Sequence, residues 1–319
     1  LKNIAFYNIY ECLNTDNFMF ENADAPIGDG LLRPMMELRK YAAKVDVSVA
    51  TVDACNLAKV DAFVFIDMPD RLNSYLVCAL SLHKPMYLVI AESKIIREES
   101  YNKERHTPFK KVFTYDDSLV DNKKYLKMSL PVVFPKTICK DISKKEKLCA
   151  LVANNKKSDH PLELYSERIK AIRWFEKNHP EDFDLYGHGW DRPYYSSCKG
   201  KLKRKRPVLE KCRFSICYEN ATGIPGYITE KIFDCFFAGC VPVYWGANNI
   251  TEHIPRECFI DKRRFPTYEE LYHFMSFMGA DEYMTYLRNI EAFLKSKKAY
   301  PFSSDCYVKT MLREIVFKE

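Results

Sequence analysis

The sequence predicts an α/β protein with two parallel-sheet domains in tandem, facing across a cleft. Three observations lead there. Near-continuous apolar runs at 61–67 and 85–92 alternate with helical segments, as strands buried on both faces do. The alternation breaks at Leu130-Pro-Val-Val-Phe-Pro135 and a charge run at 140–147, then restarts. A length of 319 residues suits two domains of roughly 150 residues each.

In the first half, 3–10 reads as a strand, and Gly28 and Gly30 bound a loop before a helix at 31–41. Strands follow at 45–49 and 61–67, then a helix at 71–82 and a strand at 85–92. The second half opens with a strand at 148–153 and a helix at 161–177 that has Pro near its start. Strands at 183–186 and 214–218 precede a helix at 229–238, which Gly239 stops. A strand at 241–245 and helices at 267–278 and 281–295 complete the pattern. The expected division is 1–138 for a first domain and 139–300 for a second, with 301–319 a C-terminal segment crossing back to the first.

Composition narrows the function classes. An apolar fraction of 47% with 29% charged residues excludes disordered and fibrous chains. A net charge of +6 suits an anionic small molecule or a membrane surface and is too weak to imply nucleic acid. The 12 cysteines contain no C-x-x-C pair, so zinc spacing is missing. Several sit in apolar runs as small hydrophobes, which points to a reducing compartment; two or more disulfides in a secreted lumen is the alternative. The longest apolar stretch, 235–247, contains Gly239 and Pro242 and falls short of the roughly 20 residues a membrane span needs. A start at Leu1 rather than Met leaves room for a removed upstream segment, such as a membrane stem.

Four places carry candidate chemistry. Between Phe214 and Gly246 a strand ends in Tyr218-Glu219-Asn220, and a loop with Gly223, Pro225 and Gly226 opens a helix with Glu230 and Lys231 in its first turn. Strand, glycine loop and helix N-terminus together bind phosphates through free backbone N–H groups, and Lys231 adds a full charge. The alternative is a plain connection in which Lys231 pairs with Asp234. Arg168 lies on the apolar stripe formed by Leu162, Tyr165, Ile169, Ile172 and Phe175, with no carboxylate three or four residues away. An inward cation of that kind needs an anion from elsewhere: a ligand, or a core carboxylate. Glu92 ends an apolar strand, where open α/β sheets collect ligands and a carboxylate is placed for general-base work; a capping or solvated role is the alternative, and Glu98 and Glu99 are rivals. The basic run 199–206 reads as a solvated loop; binding of nucleic acid, acidic lipid headgroups or a pyrophosphate is the alternative, and no aromatics interleave it for base stacking.

The segment Tyr218-Glu-Asn-Ala-Thr-Gly-Ile-Pro-Gly-Tyr-Ile-Thr-Glu-Lys231, followed by Phe237-Ala-Gly-Cys-Val-Pro-Val-Tyr-Trp-Gly246, resembles the signature of the α1,3/α1,4-fucosyltransferases, glycosyltransferase family 10. Weaker similarity reaches 183–187, 151–154 and 125–130, and the loop departs from the family's by an extra proline. The resemblance implies a GT-B enzyme of two Rossmann-like domains that moves L-fucose from GDP-β-L-fucose to a glycan hydroxyl with inversion. The implied acceptor is O3 of GlcNAc in an N-acetyllactosamine-type, Lewis-type glycan. Another GDP-sugar, or an inactive sugar-nucleotide binder, is the alternative. Arg168 and Lys231 are implied as a diphosphate clamp, Asn154, Tyr186, Asn220, Tyr227 and Glu230 as donor contacts, and Glu92 as the general base. No cofactor and no metal are implied, no nucleic-acid partner is expected, and peripheral membrane contact is. The sequon-like Asn220-Ala-Thr222 would fall in the donor site, which favours a bacterial-type cytoplasm, with the Golgi lumen as the alternative if an anchor was removed.

Overall fold

The structure, a computed structural model, describes residues 2–26 and 28–318; Leu1, Ile27 and Glu319 lie outside the described residues. The chain forms two compact units, one of residues 1–133 with 300–319 and one of residues 134–299.

The first unit holds a six-stranded sheet built of β1 (Lys2–Asn8), β2 (Val47–Thr51), β3 (Ala62–Ile66), β4 (Met86–Ile90), β5 (Lys111–Thr114) and β6 (Tyr125–Lys127). Its order is β2-β1-β3-β4-β5-β6, every pairing parallel. Helices α1 (Phe18–Glu21), α2 (Arg33–Ala43) and α3 (Ser74–Ser81) connect these strands. The α3 helix starts later than 71 because Asn73 is its cap, its side-chain oxygen accepting from the N–H groups of Tyr75 and Leu76. Strands β3 and β4 are buried throughout, which explains their unbroken apolar sequences.

The second unit repeats the plan with β7 (Lys147–Val152), α4 (Tyr165–Asn178), β8 (Phe183–Tyr186), β9 (Cys198–Gly200), α5 (Arg206–Leu209), β10 (Cys212–Tyr218), α6 (Glu230–Phe237), β11 (Val241–Trp245), α7 (Ile250–His253), β12 (Ile260–Asp261), α8 (Tyr268–Ser276) and α9 (Ala280–Leu294). Its order is β12-β11-β10-β7-β8-β9, again parallel. This is the doubly wound order of a Rossmann sheet. A last helix, α10 (Ser304–Leu312), joins the first unit: Tyr307, Val308, Met311 and Leu312 share a core with Leu38 and Ala42 of α2 and with Ile4, Val64 and Tyr87 of the sheet. A main-chain bridge between Val132 and Ser303 ties this segment in.

Several sequence expectations need correction. The helix expected from 161 begins at Tyr165, and Leu162 is exposed rather than on the buried stripe. Residues 162–164 pair instead with the loop after β10: the N–H of Leu164 donates to Asn220 O (3.0 Å), and that of Thr222 to Leu162 O (2.8 Å). These tertiary bonds outcompete helix propagation, which is weak in the first turn. The short strands β5, β6, β9 and β12 and the helix α10 escaped the sequence reading. Strands of two to four residues at or near a sheet edge leave too little periodicity to detect.

Candidate donor site

In a doubly wound sheet the binding crevice opens where the first strand's two neighbours depart in opposite directions. Here β7 lies between β8 and β10. A small hollow opens at that point, lined by Val152 at the end of β7, Ala153 just beyond it, Tyr218 at the end of β10, and the cations Arg168, Lys205 and Lys231.

Glu219 organises one side of it. The residue is fully buried, and its carboxylate accepts from the N–H of Thr229 (2.8 Å), the Thr229 hydroxyl (2.8 Å) and Lys231 Nζ (3.2 Å). Thr229 is also the cap of α6, accepting from the N–H of Lys231 (3.4 Å), so one residue fixes both the helix start and the carboxylate. Two glycines make this geometry feasible. Gly226 holds a φ of +76°, a left-handed conformation that a side chain would strain. A Cβ at Gly246 would meet Glu219 Cγ at 2.5 Å and the Tyr244 hydroxyl at 2.5 Å.

Arg168 sits on α4 as a buried cation, with its guanidinium over the Tyr165 ring. Its Nη2 donates to Tyr218 O (2.7 Å) and Asn220 Oδ1 (3.1 Å), so these bonds run to a carbonyl and an amide rather than to a core carboxylate. Burial lowers its pKa, against the pull of Tyr165 and Glu219, yet a guanidinium stays charged at neutral pH. Burial also opposes the Lys231 ammonium, but Glu219 and Glu230 outweigh it and hold its pKa above the ordinary lysine value.

Lys231 therefore pairs with Glu219, and the alternative pairing with Asp234 is not what the fold adopts. Asp234 belongs to Lys205, whose Nζ lies 2.7 Å from Asp234 Oδ2 and 3.5 Å from Glu230 Oε1. Burial opposes ionisation of Glu230, yet Lys231 and Lys205 bring its pKa down to about 2, whereas burial pushes that of Asp234 up to about 7. Lys205 corrects the reading of the basic run: its last lysine is not solvated but turned into the hollow. A signal for it existed. Glu230 and Asp234 stand four residues apart on one face of α6 and need a cation from another element, the argument that singled out Arg168.

Of the other sequence candidates, Asn220 and Glu230 join this cluster. Tyr227 is buried in the same loop, close enough for its hydroxyl to act on the charge of Arg168. Tyr186 and Asn154 lie on the same sheet edge, but their hydrogen bonds lead elsewhere: the Tyr186 hydroxyl donates to Asp184 (3.2 Å), and Asn154 accepts from the N–H of His188 (2.9 Å). Glu92 belongs to the first unit, just past β4, where its Oε1 accepts from the Tyr10 hydroxyl (2.6 Å). Its rivals Glu98 and Glu99 are both exposed, and Glu99 is paired with Arg105 (2.6 Å).

All 12 cysteines are free thiols, with Cys217 and Cys235 in the wall of the hollow. Among the described residues one group has metal-ligand geometry, His179, Glu181 and Asp182. It lies ahead of β8, at the opposite edge of the sheet from the hollow, with His179 stacked on Tyr272 and Asp182 accepting from the Tyr272 hydroxyl. No helix among the described residues is long and apolar enough to cross a membrane.

A hollow lined by three cations beside a helix N-terminus has the chemistry to hold an anionic group, and sequence comparison supplies its lineage. The glycosyltransferase family 10 (fucosyltransferase) C-terminal model matches residues 142–312, more than half of the chain. The chain belongs to glycosyltransferase family 10. The match contains Arg168, Lys205, Glu219 and Lys231. An α-(1,3)-fucosyltransferase of Helicobacter pylori is 30% identical over 77 residues, 24% of this chain and 16% of that protein. The 4-galactosyl-N-acetylglucosaminide 3-α-L-fucosyltransferase 9 of Mus musculus is 30% identical over 134 residues, 41% of this chain and 33% of that protein. These alignments thus span a third or less of the curated relatives' own length. A solved α1,3-fucosyltransferase with GDP-fucose shares the fold, with a TM-score of 0.55 at 13% identity over 100% of this chain and 91% of that one.

Proposed function

We propose that this family 10 protein is an inverting fucosyltransferase that moves L-fucose from GDP-β-L-fucose to a glycan hydroxyl. The observation that carries the reading is the convergence of Arg168, Lys205 and Lys231 on the hollow beside the α6 N-terminus. In a single displacement the acceptor oxygen attacks the anomeric carbon while the bond to the β-phosphate breaks. Charge grows on the leaving GDP, and a preorganised set of cations and N–H dipoles stabilises it. Those side chains supply the charge a divalent metal would otherwise bring, so transfer is proposed to need none. Glu92 is assigned to take the acceptor's proton. Relatives named as 3-α-L-fucosyltransferases of a 4-galactosyl-N-acetylglucosaminide favour O3 of GlcNAc in an N-acetyllactosamine-type acceptor.

An acceptor array incubated with GDP-fucose, with the linkage read by mass spectrometry and NMR, tests this. Fucose on O3 of GlcNAc, formed equally well with EDTA present, is the expected result. Abolition by EDTA with rescue by Mn²⁺ would overturn the metal-independent clamp. Binding of GDP without turnover on any acceptor would leave a sugar-nucleotide binder.

A further inference from the structure

The sequence singled out Glu92 alone on the first sheet, yet the fold sets it among three other strand ends. Tyr10 follows β1, Asp67 follows β3, Glu92 follows β4 and Tyr115 follows β5. Strand β1 lies between β2 and β3, so Tyr10 and Asp67 flank the switch point of the first sheet, and Glu92 and Tyr115 lie one and two strands beyond it.

Asp67 is the unusual member. It is 1% exposed and holds a φ of +59°, the left-handed region that costs a residue with a side chain on the order of 1 kcal/mol. That turn sends its carboxyl group back over the end of the neighbouring strand. Asp67 Oδ1 accepts from the N–H groups of Ala91 (3.1 Å) and Glu92 (3.1 Å) and from the Ser100 hydroxyl (3.0 Å), and Oδ2 lies 3.1 Å from the same Glu92 nitrogen. The carbonyl of Glu92 accepts from the hydroxyls of Tyr101 (3.0 Å) and Tyr115 (3.1 Å). The Tyr10 hydroxyl then holds the Glu92 carboxylate itself. Both main-chain ends of Glu92 and its side chain are thereby fixed, although the residue lies beyond the last ladder pair of β4.

A structural cap for β4 would need only the N–H of Ala91. A buried carboxyl group kept beside a second carboxylate, in a strained conformation, is an expensive way to end a strand, and such strain gathers at functional sites. We propose that Asp67 and Tyr10 are positioning residues for Glu92, Asp67 through the main chain and Tyr10 through the carboxylate. This rests on the assignment of Glu92 as the base.

The experiment measures steady-state fucosyl transfer for Glu92→Gln, Asp67→Ala, Asp67→Asn and Tyr10→Phe, with GDP affinity by calorimetry. Asp67→Ala lowers kcat about 10–100-fold, the range for a base displaced by up to an ångström, while donor and acceptor KM and GDP affinity stay within about twofold. Asp67→Asn keeps one acceptor oxygen and recovers about tenfold of that loss. Tyr10→Phe lowers kcat about tenfold, again with KM unchanged. If Asp67→Ala does not fold by circular dichroism, Tyr10→Phe carries the test. Wild-type kcat in Asp67→Ala or in Tyr10→Phe, with Glu92→Gln inactive, overturns the positioning role and leaves the base assignment standing. So does a loss that appears equally in KM and GDP affinity. Near wild-type turnover in Glu92→Gln overturns the base assignment, and the positioning role with it.

Discussion

The two sheets place opposite chemistry at equivalent points. At the β7/β10 switch point three cations, Arg168, Lys205 and Lys231, line a hollow, and Glu219, Glu230 and Asp234 pair with the two lysines. From the first sheet's switch point across to β5 the side chains are acidic and phenolic: Asp67, Glu92, Tyr10, Tyr101 and Tyr115 form one hydrogen-bonded group. The fold supplies a crevice in both, and the residues at the strand ends decide what it serves. A leaving diphosphate needs positive charge, and an attacking hydroxyl needs a proton acceptor. Under the proposed function, one architecture used twice in a chain divides a displacement reaction into two electrostatic tasks.

The largest effect that could break this division is Glu92→Gln. It keeps shape and removes the basic lone pair, so kcat falls about 10²–10⁴-fold with GDP affinity unchanged. Kinetics and calorimetry on the same preparation check both halves. A failure of Glu98→Gln or Glu99→Gln in its place would move the base to the exposed turn.

Next in size, Arg168→Ala and Lys231→Ala each weaken GDP binding by about 1.5–3 kcal/mol, the range for charged hydrogen bonds. UDP at equal concentration should raise the melting temperature much less than GDP does. Loss of GDP affinity from Glu92→Gln but not from Lys231→Ala would reverse the roles of the two regions.

Lys205→Met sharpens the comparison further. Lys205 already pairs with Asp234 and Glu230, so its contribution to the diphosphate is partly offset, and GDP binding should weaken by about 1 kcal/mol. Isothermal titration over a salt series reads the difference. A loss equal to that of Lys231→Ala would mean its acidic partners release it completely when the nucleotide arrives.

A pH dependence of stability tests the acidic region on its own. Burial first, then the Glu92 carboxylate, raises the pKa of Asp67 to about 7, against bonds from the Glu92 and Ala91 N–H groups and Ser100. Its value in the unfolded chain is the ordinary 3.8. Between these the native state binds the extra proton, so this group's stabilisation is complete below about pH 4 and drains as pH rises through 7. The melting temperature of the wild type minus that of Asp67→Asn should therefore fall from pH 4 to pH 8. A flat difference would mean that the Asp67 carboxyl is ionised throughout.

Much of this was legible in the chain. Strands β8 and β11 appear at the residues the sequence indicates, and β11 is apolar throughout, as a strand covered on both faces must be. Lys231 and Glu230 could be placed at a helix N-terminus because capping and glycine chemistry are local. Arg168 could be singled out because a charge without a helical partner on an apolar stripe violates a local rule.

What the sequence by itself determined, then, is whatever depends on neighbours within about one helical turn or one strand: the α/β alternation, the loop before α6 and the isolation of Arg168. The tertiary structure alone decided the rest. It paired residues 162–164 with the loop at 220–222 and so delayed α4. It drew Lys205 out of a basic run by setting Glu230 and Asp234 in front of it. It brought Asp67 over Glu92, 25 residues away in sequence, because parallel strands that adjoin in space are separated along the chain by a crossover. Charges and hydrogen bonds act through distance in space, and that distance exists only once the sheets are formed.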